Sequence, residues 1–163
     1  MSAAIAQSSY RATARTGALV GVIGSVIQVI VGLLLDRLVL PPRQHNNIAP
    51  RLIKRLFQQR GRPARPVRDW TLGTLFHVGY GIGWGCAFGL AQRWSGIPSP
   101  LLGGAMSILL YLLAFSGIGA GTRTGTEQHP RHRDWRKQLS LIAVASTFAM
   151  STAASYDRLV PRS

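Results

Sequence analysis

Gly17 to Leu35 reads GALVGVIGSVIQVIVGLLL, 19 residues without a charge. A helix needs about 20 apolar residues to cross a bilayer core. The run continues through Asp36 and Arg37 to Leu40, and Pro41-Pro42 then stops a helix. Three further runs follow. Thr71 to Gln92, TLGTLFHVGYGIGWGCAFGLAQ, is uncharged and flanked by Trp70 and Trp94, a spacing that suits the two aromatic belts of a membrane. Leu101 to Gly121 follows Pro98 and Pro100. Gln138 to Tyr156 is the least apolar, with Ser140, Ser146, Thr147, Ser151, Thr152 and Ser155, and is expected inside a bundle. The pattern predicts an all-α polytopic membrane protein with spans at 17–40, 71–92, 101–121 and 138–156. They form one domain over 17–156, between a loosely ordered polar tail at 1–16 and a C-terminal tail at 157–163. The first run is longer than the apolar part of a secretory signal and no A-x-A site follows, so no cleaved signal is expected.

The charge agrees with this class. Among 163 residues, 19 are Lys or Arg and five are Asp or Glu, a net charge of +14, yet 47% are hydrophobic. A disordered basic tail lacks that apolar content. A soluble nucleic-acid module spreads its charge over its surface, whereas here long uncharged runs separate the charges. The single Cys86 excludes an intrachain disulfide and a Cys-based zinc site.

The basic residues sort by segment. The 41–70 connection holds eight, the 121–137 connection five, and Arg37 closes the first span; the two tails and the short connection at Arg93 hold five together. The positive-inside rule then predicts loops 41–70 and 121–137 on the cytoplasmic side of the membrane and both termini outside.

Within 41–70, Asn47 suits a helix cap and Pro50 a first turn. Ile48, Leu52, Ile53, Leu56 and Phe57 then fall on one helical face and Arg51, Lys54 and Arg55 toward the other. Such a helix is expected in the membrane interface, apolar face down, with its basic residues on anionic lipid. Arg60 and Arg62 extend the basic run. The simpler reading is topology plus lipid contact; the sharper one is a docking strip for an acidic partner. No aromatic interleaves the run, so nucleic acid is not expected.

Small residues recur at four-residue spacing. Gly73, His77, Gly81, Gly85 and Gly89 form one stripe, and Gly79 and Gly83 a second. Gly21, Ser25, Gln28 and Gly32 share a face of the first span; Gly103, Ser107 and Tyr111 do so in the third, and Ala143, Thr147, Ser151 and Ala154 in the fourth. Small faces let helices in lipid approach closely. A tight bundle is expected, with a glycine face available to a partner subunit or a second copy.

Gln28 is mid-span and expected to hydrogen-bond across a helix interface. A lone His77 is ordinarily neutral and satisfied; its functional alternatives are a proton-relay group or a single ligand to heme or chlorin. Asp36, beside Arg37 at a span end, is expected to snorkel outward. Glu127, His129, His132 and Asp134 cluster, but Arg131, Arg133 and Arg136 intervene and would repel a cation, so no metal is expected. The acids do not pair on a helical face, and there is no G-x-S-x-G, P-loop or H-E-x-x-H, so an enzyme is not expected. Leu159-Val-Pro-Arg162 matches a thrombin recognition tetrapeptide, and no function is read from it.

The linear order carries a resemblance. LPPR at Leu40–Arg43, H-x-x-Y-G at His77, Tyr80 and Gly81, and L-L-G-G at Leu101–Gly104 resemble the YagU-like family of small bacterial inner-membrane proteins over roughly residues 17 to 156. In that family a Glu closely precedes the P-P-R, whereas Asp36 here stands one position further away. The resemblance implies a membrane protein and no established activity, catalytic residue or cofactor. The expected function is that of a non-catalytic accessory or interaction subunit. The alternatives are a small proton or solute transporter, with Gln28 and His77 near its path, and a pigment- or heme-binding subunit using His77.

Overall fold

The computed structural model describes residues 2–45 and 48–160, with side chains from Tyr10 onward. Asn47, read above as a cap, and the Pro161-Arg162 end of the tetrapeptide lie outside the described residues. Among the described residues every regular element is helical. The elements are α1 (Ser2–Leu38), α2 (Ile48–Gln59), α3 (Pro66–Ser95), α4 (Ser99–Phe115), α5 (Ala120–Arg123) and α6 (Trp135–Leu159). Short 3-10 turns stand at Pro42–Gln44 and Pro130–His132.

Local chemistry sets these limits. α3 opens on Pro66, whose missing N–H costs nothing in a first turn, and closes on Gly96 at φ +62°, whose N–H reaches the Gln92 carbonyl. Asp134 caps α6 by accepting from the Arg136 backbone N–H at 2.7 Å. Two limits differ from the sequence expectation. Residues 2–16 are not a loose tail but the first turns of α1, since five alanines and no Gly or Pro precede Gly17. The third apolar run breaks at Ser116–Gly119, where Ser116 is extended, before α5 resumes.

The four long helices follow the spatial order α3, α1, α6, α4, and α2 folds back on α3. Neighbours run antiparallel. Gly17 and Gly21 of α1 meet Gly85 and Gly81 of α3, while Gly24, on another side of α1, meets Phe148 and Thr152 of α6. Glycine on two sides lets α1 sit between two backbones. α4 is held to α6 by Ser107–Ser146 at 2.8 Å, Ser99–Asp157 at 2.6 Å and a Gln138–Tyr111 contact. The core of Val20, Phe88, Met106, Leu110, Phe148 and Tyr156 fills the half of the bundle nearer the chain ends.

Large apolar side chains stand outward, among them Leu19, Ile30 and Leu34 of α1 and Leu101, Ile108 and Leu112 of α4. Three helical stretches, Tyr10–Leu38, Ser99–Arg123 and Trp135–Leu159, are long and apolar enough to cross a membrane. α3, at 30 residues, is long enough but is not among them, because glycines, threonines and His77 replace branched side chains.

Candidate functional site

In the half of the bundle away from the core, α3 and α4 stand apart and leave a half-open cavity of about 470 Å³. α1 supplies Gln28, Gly32, Leu33 and Asp36; α3 supplies Trp70, His77, Tyr80 and Trp84; α4 supplies Leu113 and Phe115, and Thr124 follows directly on α5. Ile48, Ala49, Pro50 and Leu52 of α2 close its end. α2 can lie this close because a Cβ on Gly73 would stand 2.8 Å from the Pro50 nitrogen. Ile48 and Leu52 of the apolar side of α2 thus face the groove, whereas Leu56 is exposed and Phe57 carries Arg68 on its ring.

The polar residues of the groove depart from expectation. Among the described residues Gln28 has no hydrogen-bond partner on another helix; it is half-buried and lines the cavity. Asp36 does not snorkel outward but is buried at the groove's end. The bundle widens beyond Ser25, so Gln28 and Gly32 have no helix pressed on them, and the nearest atom to a Cβ on Gly32 is Val144 Cγ2 at 3.9 Å. The His77 ring is hydrogen-bonded to the Ser25 backbone, and its Nε2 is buried without a hydrogen-bond partner.

The glycine stripe of α3 has separate jobs along its length. Gly81 lies against Gly21 and Ser25, Gly85 against Gly17 and Gly21, and Gly89 against the Thr13 carbonyl and the Tyr156 ring. Gly79 and Gly83 point elsewhere: a Cβ on either meets nothing within 4 Å. In α6 the buried side carries Ala145, Ala149, Thr152 and Ala153, not the side of Thr147 and Ser151. Both of those are half-buried, and the Ser151 hydroxyl returns to the Thr147 carbonyl of its own helix at 2.6 Å. Gly17 and Gly24 carry close contacts outside the faces expected from the sequence; for Gly17 the signal in the sequence is the Gly17-x3-Gly21 spacing.

A second, open cavity of about 640 Å³ lies beside α2, lined by Arg51, Lys54, Arg55, Gln58, Gln59 and Thr126. Arg55 is fixed there by a bond of 3.3 Å to the Thr124 carbonyl. Arg60 and Arg62 are exposed; the Arg62 guanidinium is 5.9 Å from the Phe57 ring, and Arg68 stacks on that ring at 3.7 Å.

Two basic residues of the 121–137 segment turn inward. Lys137 Nζ donates to the Gln44 carbonyl at 2.6 Å and lies 3.6 Å from Glu127 Oε1, both side chains buried. Arg133 bonds the Phe115 and Gln128 carbonyls and Gln138 Oε1. Glu127 and Asp134 are therefore engaged in an ion pair and a cap. Among the described residues no three His, Cys, Asp or Glu converge as a metal site. The Cys86 thiol donates to the Ala14 carbonyl at 3.3 Å, a bond between α3 and α1.

The molecule is thus an all-helical bundle with three helices fit to cross a membrane, a lateral apolar groove and a basic pocket beside it. No family model, curated protein or solved structure matches the chain.

Proposed function

We propose that this is a four-span protein of the bacterial inner membrane that acts by association, as a non-catalytic accessory or interaction subunit. α3 is read as the fourth span. The observation that supports this reading is the division of labour on α3. One glycine face is filled by α1, while Gly79 and Gly83 leave room for a helix that the described residues do not supply. A span poor in branched apolar side chains gains more from another helix than from lipid. Fourteen basic residues belong to the end that carries α2, against five at the other, so that end is read as cytoplasmic, both termini as outside, and α2 as interfacial. The YagU-like resemblance belongs to the same reading.

Extraction in mild detergent tests it. A second copy or a partner subunit should co-purify, and Gly79→Ile with Gly83→Ile should release it. A wild-type protein that is a lone monomer at every detergent concentration contradicts the reading.

A second reading is favoured by the placement of Gln28 and His77 on one cavity: a proton or solute carrier. Flux in liposomes that is absent, or unchanged by His77→Ala, removes that role for His77. The unpartnered Nε2 is also the atom an axial heme or chlorin bond would use. A colourless purified protein removes the pigment reading.

A further inference from the structure

α2 separates two cavities of opposite character. On one side Arg51, Lys54 and Arg55 gather around an open pocket that no acidic side chain lines. On the other, Ile48, Pro50 and Leu52 close the end of the apolar groove. Thr126 borders both, so the cavities adjoin. Trp70 and Trp135 stand exposed at the same end of the bundle, where aromatic side chains mark the headgroup level.

We propose that the two cavities together hold one anionic phospholipid, its phosphate on Arg51, Lys54 and Arg55 and an acyl chain in the groove between α3 and α4. Three cations without a lining acid select a negative head. The groove's lining is mostly apolar, with Leu33, Trp84, Leu113 and Phe115 on its walls and Gln28, Asp36 and His77 among its few polar groups, and so suits a chain better than a second charged head. Free phosphate would leave the groove unfilled. The groove is also open to the side, which lets a chain enter from the bilayer. The inference uses these cavities and not the outer face of α3, so it stands or falls apart from the association proposed above.

The test is native mass spectrometry of the intact protein in a neutral detergent, offered phosphatidylglycerol, phosphatidylcholine or inorganic phosphate. One phosphatidylglycerol per chain should be retained in preference to phosphatidylcholine, on the order of tenfold, and inorganic phosphate should not displace it. Arg51→Ala, Lys54→Ala and Arg55→Ala together should abolish that preference, and Gly32→Phe, which fills the groove, should weaken both lipids alike. Equal retention of the two lipids, or displacement by phosphate, overturns the proposal. A phosphatidylglycerol with a photoreactive group in its acyl chain gives a readout on the wild type alone. Crosslinks should map to Trp84, Phe115 and Val144 in the groove; crosslinks only to outward residues such as Leu101 and Ile108 overturn the placement.

Discussion

A methyl group on Gly17 of α1 would stand 2.5 Å from the carbonyl oxygen of Gly85 of α3, closer than any real side-chain carbon approaches an oxygen. The two backbones therefore touch directly, and α1 and α3 are held by an absence of side chains.

Substitution at this seam should separate the glycines into two groups. Gly17→Ala, Gly21→Ala and Gly85→Ala each force the helices apart and should cost about 1–3 kcal/mol. Gly79→Ala and Gly83→Ala meet open space in a single chain and should be neutral or gain up to about 1 kcal/mol from helix propensity. Thermal unfolding in detergent, followed by circular dichroism, orders the five. Equal losses in both groups would show that the seam lies elsewhere.

Arg133 and Arg131 are two residues apart and should behave differently. Arg133 is buried and bonds three oxygens, whereas Arg131 is exposed. Arg133→Lys keeps the charge but not the planar fork, and should lose roughly 1.5–3 kcal/mol. Arg131→Lys should lie within about 0.5 kcal/mol of the wild type. Comparison of their denaturation midpoints decides it.

The buried pair of Lys137 and Glu127 predicts a coupling. Lys137→Met strands a buried Glu127 charge and also frees the Gln44 carbonyl, and should cost about 3–5 kcal/mol. Adding Glu127→Gln should recover part of that loss, because the stranded charge is gone. A double-mutant cycle measures it; strictly additive losses would mean the two charges do not interact.

Much of the architecture is legible in the sequence. The uncharged runs place the long helices, and Gly21, Gly81 and Gly85 stand at the four-residue spacing that a close helix contact requires. What was not legible depends on which helices become neighbours. A lone periodicity cannot show that α1 lies between α3 and α6, so it neither singles out Gly24 nor tells the buried side of α6 from the side of Thr147 and Ser151. Arg133 and Lys137 read as topogenic charge because only the folded chain brings carbonyls and Glu127 to them. Gln28 is expected at a helix contact and Asp36 at the membrane surface; both line a groove instead, and the groove exists because α3 and α4 do not close on each other.

The central claim is that α3 is a fourth span, with the α2 end cytoplasmic. Its most direct test uses Cys86→Ser as a background for single cysteines at exposed Gln59 and Ser95, near opposite ends of α3. In intact cells a membrane-impermeant maleimide should label the cysteine at 95 and reach the one at 59 only after permeabilisation. Labelling of both from one side contradicts the claim: α3 would then not cross the membrane.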